Sequence, residues 1–180
     1  AWLRERVEER GKMRTMVVRS EPQTGRGELR QALLRFIGAS AMTLEEASPF
    51  LERVFPDPDL RSDAIELMWP QEPSDRVASE SHIKQAARLI EHLAEGQPFL
   101  LWADDVQWSP EGKMLRLINR LGREGGGQNM FLVVTMRHSG RSTVQAARRA
   151  SLKLPGAELI DLGPINPMSL APTLDALGPL

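Results

Sequence analysis

A doubly wound α/β domain on a parallel sheet is the fold this sequence predicts, and three observations predict it. Two runs, PFLLWADD (98–105) and MFLVVTMR (130–137), are apolar without alternation. A strand of that kind is buried on both faces, as in a parallel sheet covered by helices. Segments with apolar residues at helical spacing stand before, between and after these runs, giving the strand–helix alternation of α/β domains. Each run also ends in polar, chemistry-bearing residues, at the carboxyl edge where open parallel sheets bind ligands.

Taken in order, AWLRERVEER (1–10) reads as a charged amphipathic helix with Trp2, Leu3 and Val7 on one side and Gly11 as its stop. MRTMVV (13–18) is a short strand, and SEPQTGRG (20–27) is a loop by composition. Leu29, Leu33, Phe36 and Ile37 lie at helical spacing before Gly38. The stretch 39–78 carries prolines at 49, 56, 58, 70 and 73 and reads as a proline-broken helical insert within a single domain spanning 1–180. Residues 79–95 form the strongest helix, with Ser79 or Ser81 as cap. Ile83, Ala86, Ala87, Ile90, Leu93 and Ala94 make one apolar face, and Gly96 and Pro98 end it. The strand 98–105 follows, then a helix through Met114, Leu117, Ile118 and Leu121, the turn Gly125–Gly127 and the strand 130–137. A basic helix over 141–151 and a final short strand, AELIDL (157–162), close the pattern.

The chain has 180 residues, 41% hydrophobic and 26% charged, which suits one soluble domain with a sizeable core. Lys plus Arg (23) nearly cancels Asp plus Glu (24), for a formal charge of −1. A general nucleic-acid or anionic-membrane binder would show a basic excess, so neither partner is expected. No apolar run is long enough to span a membrane, and the start is no signal peptide. With no cysteine, disulfides, thiolate metal sites and cysteine nucleophiles are excluded, and a cytoplasmic location is the expectation. The start at Ala1-Trp2, directly in helix-like sequence, suggests a piece of something longer.

Asp104 and Asp105 are the leading candidates for chemistry. Two adjacent carboxylates beyond an apolar strand suit a hard cation such as Mg²⁺ and a base that activates water. The competing reading makes one of them a helix cap and the other a solvated acid. Thr135 and Arg137, at the end of the next apolar strand, offer a hydroxyl and a guanidinium that forks onto phosphate oxygens.

Residues 79–166 resemble the P-loop ATPase module of the signal-transduction class with numerous domains, an AAA-like class fused to bacterial protein kinases, nucleotide cyclases and LuxR-type transcription regulators. The likeness rests on order and spacing. A helix leads to Leu100-Leu101-Trp102-Ala103-Asp104-Asp105-Val106-Gln107-Trp108-Ser109, then a helix and Thr135-Met136-Arg137, and last Asp161-Leu162-Gly163-Pro164-Ile165. The resemblance implies a three-layer P-loop NTPase-like α/β fold and an ATP-dependent switch in a larger regulator. Its partners would be other domains of the same polypeptide or regulatory proteins, including further copies in a homo-oligomer. It also implies that Asp104 holds Mg²⁺ through water (the Walker B acid), that Asp105 polarises the attacking water, and that Arg137 senses the γ-phosphate.

The phosphate loop of that family, GxxxxGK[ST], is absent from the sequence. Two explanations compete. In one, the loop precedes residue 1, residues 1–10 belong to the helix after it, and strand 13–18 is the family's second strand. In the other, residues 20–27 are a decayed loop with Arg26 in the lysine's place. The first places strand 13–18 on the outer side of 99–104, the second beside 130–136. Either way the chain is expected to bind nucleotide poorly. A nucleotide-free scaffold or oligomerisation module is the alternative function. A phospho-acceptor receiver domain is a weaker third reading, since that fold wants its acidic pair after the first strand. The histidines at 82, 92 and 138 lack ligand spacing, Trp2, Trp69 and Trp102 read as core, and the basic run Arg141, Arg148, Arg149 and Lys153 reads as a solvated helix face.

Overall fold

The computed structural model describes residues 13–22, 27–70, 80–109, 112–123, 129–137, 157, 158 and 160. Three strands, β1 (Arg14–Arg19), β2 (Phe99–Asp104) and β3 (Met130–Val134), form a parallel sheet in the order β1-β2-β3. The helices are α1 (Glu28–Phe36), α2 (Leu44–Val54), α3 (Pro58–Met68), α4 (Glu80–Ala94) and α5 (Lys113–Arg123), and a single 3₁₀ turn spans Val106–Trp108. The expected α/β fold is present. β1 lies on the outer side of β2, away from β3.

Local chemistry accounts for the element ends. Thr43 and Glu46 close a capping box on α2, and the Asp57 carboxylate accepts from the N–H groups of Asp59 and Leu60 at the start of α3, with Pro58 in the first turn. Gly38, at φ 78°, turns the chain out of α1 in the left-handed region that glycine tolerates. Of the prolines expected to break 39–78, Pro49 lies inside α2 and only removes one intrahelical bond; the interruptions fall around Pro56 and after Met68. That stretch is also wired into the core. Ala47, Leu51, Phe55, Ala64 and Met68 are fully buried in the cluster that holds the sheet.

The helices pack against one face of the sheet. Met16, Val18, Phe99, Leu101 and Ala103 enter a core with Leu33, Ile83, Ala87, Ile90, Leu117 and Leu121, and the Phe99 ring meets Phe36 edge-on at 5.2 Å. Side chains alternate across a strand, so Val17, Leu100, Trp102, Phe131 and Val133 point away from that core. Burial on this second face is graded: Leu100 is buried, whereas Phe131 is 62% exposed and Val133 is also exposed. The unbroken run of β3 predicts burial on both faces, but the strand alternates between half-buried and exposed positions. Among the described residues no helix forms the second outer layer of the expected three-layer arrangement. Residues 157, 158 and 160, expected in a final strand, are in none. The expected helices at 1–10 and 141–151, and the turn Gly125–Gly127, lie outside the described residues. None of the described helices is long and apolar enough to cross a membrane.

Candidate functional site at the carboxyl edge of the sheet

Parallel pairing puts the carboxyl ends of β1, β2 and β3 along one rim, and the polar residues that end the strands meet there. Asp104, the last residue of β2, is the register partner of Arg19, the last of β1. The Arg19 Nε donates to Asp104 Oδ2 at 3.0 Å, and the Thr135 hydroxyl donates to Asp104 Oδ1 at 2.5 Å. Both carboxylate oxygens are therefore engaged. The Thr135 hydrogen bond, and after it the Arg19 bond and charge, hold the Asp104 carboxyl below its usual range against the opposing effect of burial. It is an anion at neutral pH.

The backbone locks this junction. Thr135 N donates to Ala103 O, Val106 N to Thr135 O, and Ser20 N to Asp104 O, each within 3.2 Å. Asp105 then leaves the strand in the left-handed region, at φ 55° and ψ 40°. It is the only non-glycine residue with positive φ among the described residues, a conformation aspartate tolerates better than most side chains. Its N–H donates back to Thr135 Oγ1 at 3.2 Å.

The turn that follows ties Asp105 to the far side of the rim. Gln107 Nε2 donates to Asp105 Oδ1 at 2.9 Å, and Gln107 Oε1 accepts from the Arg137 N–H at 3.1 Å. The Arg137 Nε lies 3.4 Å from the same Asp105 oxygen, with its side chain largely exposed. Asp105 Oδ2 has no partner among the described residues. Ser109 Oγ accepts from Met114 N and so caps the start of α5.

The structure thus brings together Asp104, Asp105, Thr135 and Arg137, four residues the sequence singles out; Arg26 lies outside the described residues. Thr135 differs from expectation in one respect, because its hydroxyl proton goes to Asp104 and is not free for a ligand. Neither Asp104 nor Asp105 is a helix-capping acid: no cap hydrogen bond runs from Asp105 to the turn after it. Arg19 and Gln107 are site residues that sequence reasoning passes over. Gln107 lies within the quoted motif, two residues after Asp105; Arg19 shows itself only once the register sets it across from Asp104.

The residues present fit a hard divalent cation in part. Asp104 is an ionised oxygen donor at the rim, and a cation that keeps most of its waters needs only one or two protein oxygens. A cage is not present: no group of three or more His, Cys, Asp or Glu is placed to hold a metal among the described residues. For a nucleotide, Arg137 offers a largely exposed guanidinium at the rim, while the sequence holds no GxxxxGK[ST] loop for the other phosphates. No family model, curated protein or solved structure matches this chain.

Proposed function

We propose that the chain is the Walker B and sensor portion of an ATP-dependent switch domain, acting within a larger regulator. The observation that carries this reading is the joint placement of Asp104, Asp105, Thr135 and Arg137 at the ends of two neighbouring parallel strands, with Asp105 Oδ2 unengaged. In that role Asp104 would help hold Mg²⁺, Asp105 Oδ2 would take a proton from the water that attacks the γ-phosphorus as the bond to the departing ADP oxygen breaks, and the Arg137 guanidinium would meet the terminal phosphate. Mg-ATP supplies the phosphoryl group and its charge-neutralising metal, so positioning and charge stabilisation make up most of the catalysis. The outer position of β1 supports the placement of the phosphate loop elsewhere than at 20–27.

With no GxxxxGK[ST] in the sequence, weak binding is the expectation, which dictates the experiment. Titration of the ¹⁵N-labelled protein with Mg-AMP-PNP, followed by NMR, should move amides of 104–108 and 135–137 with a Kd of about 1 mM, since a few charged contacts without a cradle give affinity of that order. Arg137→Ala should remove most of those shifts. No shifts at the rim, or the same shifts in Arg137→Ala, would leave the second reading, a nucleotide-free scaffold module, which the absent GxxxxGK[ST] favours.

A further inference from the structure

The Asp104 carboxylate already has a cation, and it belongs to the chain. Arg19 comes from a different element, sits opposite Asp104 in the sheet register, and donates to Oδ2 at 3.0 Å. Oδ1 is committed to Thr135 from the other side, so a divalent cation approaching Asp104 meets one oxygen held by a hydroxyl and one held by a guanidinium. The two bonds differ in how easily they yield. Thr135 is fixed by the backbone bonds that join β2 to the end of β3. The Arg19 side chain is 66% exposed, and an exposed ion pair of this kind holds its partner weakly, because water screens it and a long side chain must be ordered.

We infer that Arg19 is an internal counter-ion of the site, seated on Asp104 Oδ2 in the cation-free protein and displaced when a divalent cation takes up that carboxylate. The inference rests on the metal role proposed for Asp104 but asks nothing of nucleotide. Arg19 then acts as a threshold. A free divalent cation must compete with it, and a cation that arrives with phosphate brings negative charge that offsets the loss of the Arg19–Asp104 pair. Arg19 is a positioning residue in this scheme, acting through Asp104.

Mn²⁺, read by EPR of the free ion and without nucleotide, is the probe. Arg19→Gln should bind Mn²⁺ about fivefold more tightly than the wild type, the size expected for removing one exposed competing charge. Arg19→Lys, which keeps the charge, should stay within about twofold of the wild type on the same ground. The gain should vanish when Asp104 is also removed, so that R19Q/D104N binds no more tightly than D104N. Equal affinity of R19Q and the wild type overturns the proposal, as does a gain that survives in R19Q/D104N. Loss of the nucleotide shifts described above, with the Mn²⁺ pattern intact, sinks the ATP reading and leaves this one standing.

Discussion

Phe99 and Phe131 are the same residue type on adjacent strands of one sheet, yet the first is fully buried and the second mostly exposed. Phe99 faces the helices and meets Phe36 edge-on; Phe131 lies on the opposite face. Both strands are unbroken apolar runs, so what separates them is the layer that covers each face. Phe99→Ala should destabilise by about 4 kcal/mol, from lost transfer energy and the cavity left behind, and lower Tm by roughly 10 °C. Phe131→Ser should change stability by less than about 1 kcal/mol. Thermal melts followed by circular dichroism check both. A large loss at Phe131 would show that the second face is covered over β3 as it is at Leu100.

The polar rim contrasts with both faces, since its order comes from a few directed bonds and its stability is correspondingly sensitive to single atoms. Thr135→Val keeps shape and removes the hydroxyl that serves Asp104 and the Asp105 N–H at once. It should cost about 2 kcal/mol near pH 7, the range for leaving partly buried polar partners unsatisfied. Its pH dependence has a definite sign. The folded-state pKa of Asp104 is depressed, chiefly by this hydroxyl, so the stabilisation is complete above the unfolded value and is lost as pH falls through the folded one. Urea midpoints of wild type and variant should therefore differ most above pH 4 and converge in stronger acid. A gap that does not change with pH breaks the assignment.

Asp105 offers a finer test of the same rim. Asp105→Asn keeps a side chain that accepts the left-handed backbone, and Asp105→Ala does not. The alanine variant should be about 1 kcal/mol less stable than the asparagine one, measured by urea unfolding. If the two are equal, the φ of 55° carries no strain.

How much of this was legible in the sequence follows from the range of each interaction. The apolar runs, the α4 and α5 periodicities and the acids at the strand end are local patterns, and all appear where expected. The pairing of Arg19 with Asp104 spans 85 positions and depends on register, which no local pattern encodes. The left-handed turn at Asp105 carries no glycine to announce it. The exposure of Phe131 and Val133 was hidden for another reason: an unbroken run reports that a strand can be buried on both faces, while burial itself needs a covering layer supplied from elsewhere. Pro49 was misleading in the opposite sense, since packing of Ala47 and Leu51 into the core outweighs the one bond the proline removes.

The smallest predicted effect lies where rim and core meet. Glu28, the first residue of α1, accepts from the Ser20 hydroxyl through Oε2 at 2.8 Å, while its Oε1 is buried without a partner among the described residues. Burial pushes its carboxyl up from the usual range, more than the Ser20 bond and nearby Lys113 pull it down. The folded state therefore holds this proton more tightly than the unfolded chain, so the wild type gains stability as pH falls through the folded pKa, and the gain is complete below the unfolded one. Glu28→Gln removes the titration and keeps an acceptor for Ser20. At pH 7 the variant should melt no more than about 1 °C above the wild type, because the group is only half-buried and partly screened. That advantage should shrink toward pH 4. A variant that is less stable than the wild type at pH 7 would mean that the charge at the start of α1, favourable to the helix dipole, outweighs the desolvation at Oε1, and that the rim tolerates a third carboxylate as readily as it does Asp104 and Asp105.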